Sequence, residues 1–256
     1  MNNNQHIVRR ILLAACGLGL SFGALALEIK VLSAGAIKPV IAAAVPDFER
    51  RTGHKVTIEN DTAGGLQKRV RAGEKFDLLV MPLPGLQQLA GEGAVLPAGL
   101  LPLAKVGIGV AVKQGAAQPR IATTADFRDA LLAARKVAYI DPAAGGSSGI
   151  YLSQLFERMG IADQIRPKAV LVPGGLVAQR LVTGEADLAV HQISEILAVP
   201  GAALVGPIPA EVQNYTVYAM GLSARSEALG AAQQLVSVLA GAPVRAQLAA
   251  FGMEAP

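Results

Sequence analysis

Ile29-Lys30-Val31-Leu32-Ser33-Ala34-Gly35-Ala36 is a short apolar run that dissolves into small residues, and from Ile37 to Arg51 apolar side chains then recur at helical spacing until Gly53. A strand signal, a small-residue turn and a helix signal in that order begin an α/β unit. The plan repeats at once. Lys55–Glu59 reads as a strand, Asp61-Thr62-Ala63-Gly64-Gly65 as a loop, Leu66 to Ala72 as a helix, and Asp77-Leu78-Leu79-Val80-Met81 as a buried strand. Strands alternating with helices imply a mostly parallel sheet covered on both faces.

A second unit of the same kind follows Lys105–Val112, which reads as one strand carrying the chain between two lobes. Val137–Ile140 is a strand, Asp141–Gly146 a loop, and Ser147 onward a helix that stops at Gly160. Ala169–Val172, a helix near 177–183 and Asp187–Val190 complete the second sheet. Thr216–Leu222 reads as a return strand, with closing helices at Ala228–Leu239 and Pro243–Phe251. The expected organisation is therefore a leader at 1–26, a first lobe at 27–104, a second lobe at 105–207, and a return to the first lobe at 208–256. Two crossing strands between lobes make a hinge.

The leader rests on Arg9 and Arg10, the apolar run from Ile11 to about Ala26, and the small-residue pattern Ala24-Leu25-Ala26, the order of an export signal cleaved before Leu27. Cys16 falls inside that leader, so the mature chain has no cysteine, which removes disulfides, thiol catalysis and cysteine metal sites. The net charge of +4 drops to +2 without Arg9 and Arg10, and the remaining basic residues are scattered, which argues against a nucleic-acid partner. No Gly-x-x-x-x-Gly-Lys or His-x-x-x-His pattern occurs to support nucleotide or zinc chemistry.

Three loops carry the functional signal: Ser33-Ala34-Gly35-Ala36, Thr62-Ala63-Gly64-Gly65 and Gly145-Gly146-Ser147-Ser148-Gly149. Each follows a strand and enters a helix, whose unpaired N–H groups and positive dipole end suit an oxyanion. Open α/β sheets bind ligands at that end of their strands. The candidate binding residues are Ala36, Lys38, Thr62, Ala63, Gly64, Ser147, Ser148, Gly174 and His191. Lys38 is placed to meet a carboxylate, Gly174-Gly175 reads as a further helix start, and His191 is placed just past a strand, where an imidazole can donate or take a proton. Lys68, Arg69 and Arg71 read as a solvated helix face, and His54 as part of a surface turn.

The Ile29–Ala36 segment, Thr62–Leu66 followed by Ala72-Gly73 and Asp77–Val80, and Asp141-Pro142 followed by Gly149-Ile150-Tyr151 together resemble the molybdate-binding proteins of ABC transporters and their wider relatives. The resemblance covers nearly the whole mature chain. It implies the two-lobed periplasmic binding protein fold, each lobe a mostly parallel sheet flanked by helices and joined by two crossing strands. It further implies a monomer that holds a small anion without cofactor and delivers it to an ABC transporter membrane component. That family uses two serines, backbone N–H groups and a tyrosine hydroxyl. At the matching positions this chain has Ala36, Ala63 beside Thr62, and His191. Each lost hydrogen bond to a dianion is worth about 1.5–3 kcal/mol, so a small organic carboxylate or a different oxyanion is expected instead of molybdate. The resemblance also extends to aconitate isomerases, which move a proton across an allylic system with no metal. Under that alternative His191 is the base. On either reading the exported protein should begin at Leu27, which N-terminal sequencing of the periplasmic fraction checks; a start at Cys16 would indicate a lipoprotein instead.

Overall fold

A computed structural model describes residues 26–256, so the expected leader, with His6, Arg9, Arg10 and Cys16, lies outside the described residues apart from Ala26. The strands are β1 (Glu28–Ala34), β2 (Lys55–Asp61), β3 (Leu78–Pro82), β4 (Leu101–Val106), β5 (Ile108–Lys113), β6 (Val137–Ile140), β7 (Ala169–Val172), β8 (Leu188–Gln192), β9 (Ala202–Pro207) and β10 (Thr216–Leu222). The helices are α1 (Lys38–Thr52), α2 (Ala63–Arg71), α3 (Leu83–Gly91), α4 (Thr124–Ala133), α5 (Ser147–Arg158), α6 (Ala162–Ile165), α7 (Gln179–Val182), α8 (Ile193–Leu197), α9 (Leu229–Leu239) and α10 (Ala242–Gln247).

The strands form two five-stranded sheets, ordered β2-β1-β3-β10-β4 and β7-β6-β8-β5-β9. In the first, β1 runs parallel to β2 and β3 while β10 runs antiparallel to β3 and β4. The second repeats the pattern, β6 parallel to β7 and β8, and β5 antiparallel to β8 and β9. This is the pair of mostly parallel α/β sheets that the alternation of elements implies, in the two-lobed arrangement implied by the resemblance. Every residue of β3 and of β8 is buried, as continuous apolar runs between helix layers require. Edge strand β2 is buried only in part, and its Glu59 joins Lys30, Glu74 and Arg69 in an ion-pair cluster. Arg69 is thus part of that cluster and not a free solvated side chain. His54 is also buried, packing on Phe48 and accepting from the Leu27 N–H, where a surface turn was expected.

The run from Lys105 to Val112 is two strands and not one. Gly107 breaks it, leaving β4 in the first sheet and β5 in the second. A side chain at Gly107 would meet the Gln213 amide at 3.2 Å, and Gln213 lies in the other crossing, between β9 and β10. Its Oε1 accepts from the Ile108 and Asn214 N–H groups at 2.8 and 2.9 Å, and its Nε2 donates to the Ile108 carbonyl at 2.9 Å and to the Ile208 carbonyl at 3.4 Å. One side-chain amide therefore ties the two crossings together. Replacing Gln213 by Ala should lower stability by about 1–3 kcal/mol through the donors and acceptors left without it, read as an earlier midpoint in urea unfolding.

Candidate functional site

The C-terminal ends of β1, β2, β6 and β8 meet across a cavity of about 300 Å³, at the small end for ligand clefts. Seven of the nine residues expected from sequence line it: Ala36, Lys38, Thr62, Ala63, Ser147, Ser148 and His191. Gly64 and Gly174 do not. The Gly64 N–H donates to the Gly145 carbonyl at 3.0 Å, and a Cβ on Gly64 would lie 2.8 Å from the Gly145 Cα. Gly64 is part of a backbone seam between the lobes. Gly174 precedes no helix, since α7 starts only at Gln179, and its neighbours Gly175 and Leu176 line the cavity in its place.

Thr62 belongs to the same seam. Its hydroxyl donates to the Ala144 carbonyl at 2.6 Å and accepts from the Gly65 N–H at 3.0 Å, capping α2. Asp61 also serves that helix start, accepting from the Thr62 N–H at 2.7 Å, and Gly65 has no Cβ because one would sit 2.3 Å from the Asp61 carboxylate. By contrast α1 and α5 start without a side-chain cap, and both starts border the cavity through Ala36, Lys38, Ser147 and Ser148. Those are the two helix ends with positive potential to offer an anion. Lys38 donates to Asn60 Oδ1 at 2.8 Å and is the one lysine or arginine among the lining residues.

Five polar side chains in the cavity wall lie outside the residues expected from sequence: Asn60, Asp61, Gln192, Glu195 and Tyr218. Gln192 is a hub, its Nε2 donating to Ser147 Oγ at 3.0 Å and to Thr216 Oγ1 at 3.1 Å while its Oε1 accepts from the Tyr218 hydroxyl at 2.6 Å. Burial raises Tyr218 well above the ordinary phenol range, so it stays a donor. Tyr218 comes from the return strand and gives no local signal of its place.

His191 is the fourth residue of β8 and not a residue beyond it, and Glu195 follows one turn later on α8. The two are only 2 % and 8 % exposed, and Nδ1 of His191 approaches Oε2 of Glu195 to 3.3 Å. The contact lacks hydrogen-bond geometry, which leaves Nδ1 without a partner. Burial pushes the Glu195 carboxyl up to about 8 and the imidazole down to about 3. Both groups are therefore uncharged at neutral pH. The i,i+4 spacing of this pair was visible in the sequence and was the one signal that would have found Glu195.

The chain matches the model of a family described as bacterial extracellular solute-binding protein over residues 29–254. It belongs to that family. Among relatives of this solute-binding protein, a protein named aconitate isomerase from a Pseudomonas species is 35 % identical over 218 residues, spanning 83 % of this chain and 82 % of the relative. Solved structures share the fold at lower identity. The periplasmic molybdate-binding protein of Azotobacter vinelandii is 20 % identical with a TM-score of 0.76, covering 90 % of this chain and all of that one. The sulfate-binding protein SubI of Mycobacterium tuberculosis H37Rv is 17 % identical with a TM-score of 0.71, covering 90 % and 87 %.

The buried carboxyl sets a pH dependence of stability. Its folded value near 8 lies above the unfolded value near 4.5, so its contribution is fully present below about 4.5 and is lost as pH rises through 8. Glu195→Gln cannot ionise. Its melting temperature should therefore gain on the wild type as pH is raised from 5 to 9, and a constant difference between the two across that range would contradict the burial of a protonated carboxyl.

Proposed function

We propose that this solute-binding protein is an exported, periplasmic isomerase that interconverts cis- and trans-aconitate by an allylic proton shift. The observation that carries the reading is the His191–Glu195 pair, two buried proton-exchanging groups held uncharged 3.3 Å apart at the wall of a cavity between two lobes. Capture alone asks for fixed charges and hydrogen-bond donors. A pair poised to move a proton is what acid–base chemistry asks for. The identity of 35 % to a protein named aconitate isomerase supports the same substrate class.

In this reading the ligand's carboxylates are held by Lys38, by the uncapped starts of α1 and α5, and by the Ser148 hydroxyl, while the Gln192 hub keeps Ser147 and Tyr218 in place. A proton leaves the methylene next to the substituted double bond, the electron pair moves across the three-carbon system, and a proton is returned at its far end. The carbanion is spread over a system bearing carboxylates, so fixed donors around those carboxylates stabilise it where charge develops. No redox change occurs. The neutrality of Glu195 matters for binding as well, because the cavity has Lys38 as its lone lysine or arginine, offset by Asp61.

A second reading is favoured by the shared fold of molybdate- and sulfate-binding proteins: a monomeric binding protein that hands a small carboxylate or oxyanion to an ABC transporter membrane component. Proton NMR in D₂O separates the two. With the mature protein at catalytic concentration and cis-aconitate, trans-aconitate, citrate and isocitrate supplied separately, the isomerase should convert each aconitate into the other and leave the hydroxy acids unchanged. Saturable binding of these acids with no conversion of any would favour the transport reading.

A further inference from the structure

The isomerase reading requires a base, and two groups compete for the role. We infer that Glu195 carries the proton from one end of the allylic system to the other, with His191 as its positioning partner; this rests on the isomerase reading. Three features of the cavity converge on it.

The first is place. Glu195 sits on α8, a helix wedged between the lobes: Ile193 packs on the first-lobe core and Ile196 belongs to a second-lobe core. Its Oε1 lies over the backbone of Gly35, where a Cβ would be only 2.5 Å away. The carboxyl thus reaches from one lobe to the opposite wall of the cavity. Gly35 leaves room for it, because a larger residue there would displace the carboxyl.

The second is shape. A carboxylate presents two oxygens in one plane, suited to taking a proton from one carbon and returning it two carbons away on the same face. The bookkeeping closes on a single group. Glu195 first releases its proton to solvent, its carboxylate breaks the methylene C–H, the electron pair forms the new double bond, and the Glu195 O–H gives its proton to the other terminal carbon. No oxidant, reductant or further proton is needed.

The third is basicity. An imidazole that burial holds near 3 is a poor proton acceptor, whereas a carboxyl held near 8 is, once ionised, far more basic than an ordinary carboxylate and close to the working pH. His191 Nδ1, which has no hydrogen-bond partner, lies 3.3 Å from Oε2 and needs to reorient to donate to it when Glu195 ionises. The other groups facing Glu195 do not supply the proton. Tyr218 on β10 is held neutral, and Lys38 on α1 and Asp61 on β2 are the other charged side chains lining the cavity. Of the remaining elements packed on α8, β9 and the 3-10 turns Gly35–Ile37 and Leu248–Phe251 have no titratable side chain, and Lys113 of β5 is exposed.

The test uses the full mature protein with trans-aconitate. For the wild type, kcat/KM should rise with pH through about 8 and level off above it, since the ionised carboxylate is the active form. Glu195→Gln should lose turnover by about 10²-fold or more while calorimetry still shows trans-aconitate binding, which also reports that the variant is folded. His191→Asn should be slower yet keep the rising limb. Overturning results are equally plain: Glu195→Gln turning over within a few-fold of the wild type, a wild-type profile flat from pH 6 to 9, or a limb that survives in Glu195→Gln and vanishes in His191→Asn, which would make the imidazole the base. A wild type that binds trans-aconitate and converts none would instead sink the isomerase reading itself, and this assignment with it.

Discussion

Two ionisable side chains can stay uncharged side by side only where water is kept from both, and that exclusion is the condition on which the site depends. His191 and Glu195 come from one strand–helix junction of the second lobe, but the lid over them is the first lobe. On the side of the loops at 62–65 and 142–146, the seam that brings the lobes together runs on backbone groups. Gly64 lies against Gly145 with neither Cβ present, and the bonds across the seam run to the carbonyls of Ala144 and Gly145. Any side chain at Gly64 would prop the lobes apart, since it would meet main chain, which cannot swing away as a flexible side chain can. Small residues at helix starts, read from sequence as room for an anion, serve closure at least as much.

Closure and proton affinity are then one property. The crossings at Gly107 and at 208–215 are the two covalent links between the sheets, and Gln213 fastens them to each other, so relative motion has to pass through a clamped hinge while the opposite seam opens. Opening on that side breaks the Thr62–Ala144 and Gly64–Gly145 hydrogen bonds. It admits water to Glu195, which favours the charged form and weakens it as a base. A strong base therefore exists only while the cavity is shut, the state in which a carbanion is also protected from solvent.

The sequence was most legible where the physics is local. Val137–Ile140, Ala169–Val172 and Thr216–Leu222 are strands with the bounds their apolar runs suggest, because β-branched and apolar residues between turn formers leave little choice. Less was read where signals were weak or mixed. β9 is only partly buried and contains glycine, α8 is five residues long, and α3 begins with proline inside an apolar run. α4 was legible and passed over, since Thr123 and Asp126 form a capping box. In the site, the anion loops follow from the rule that strand ends bear ligands, and they line the cavity. Whether a hydroxyl such as that of Thr62 is free or already committed to the opposite lobe depends on contacts 82 residues apart, and no spacing rule encodes it. Tyr218 and Gln192 are hidden for the same reason.

The charge inventory of the cavity says why one fold can serve both capture and chemistry. α2 spends its N-terminal potential on Thr62 and Asp61, which on the proposed reading leaves α1, α5 and Lys38 to meet the anion. Such a set holds an oxyanion of any shape that fits, because helix ends and a lysine supply potential more than geometry. Reactivity enters through a single alteration of the wall. Place a carboxyl where burial keeps it protonated and it costs the anion nothing in repulsion, yet it remains able to exchange its proton with a bound acid. The anion pulls in the same direction, since a negative ligand raises the carboxyl further and holds it in the neutral form that tolerates binding. On the isomerase reading, turnover then depends on the fraction ionised in the complex. On that reading the same feature that admits a polyanion therefore sets a ceiling on how fast it can be deprotonated.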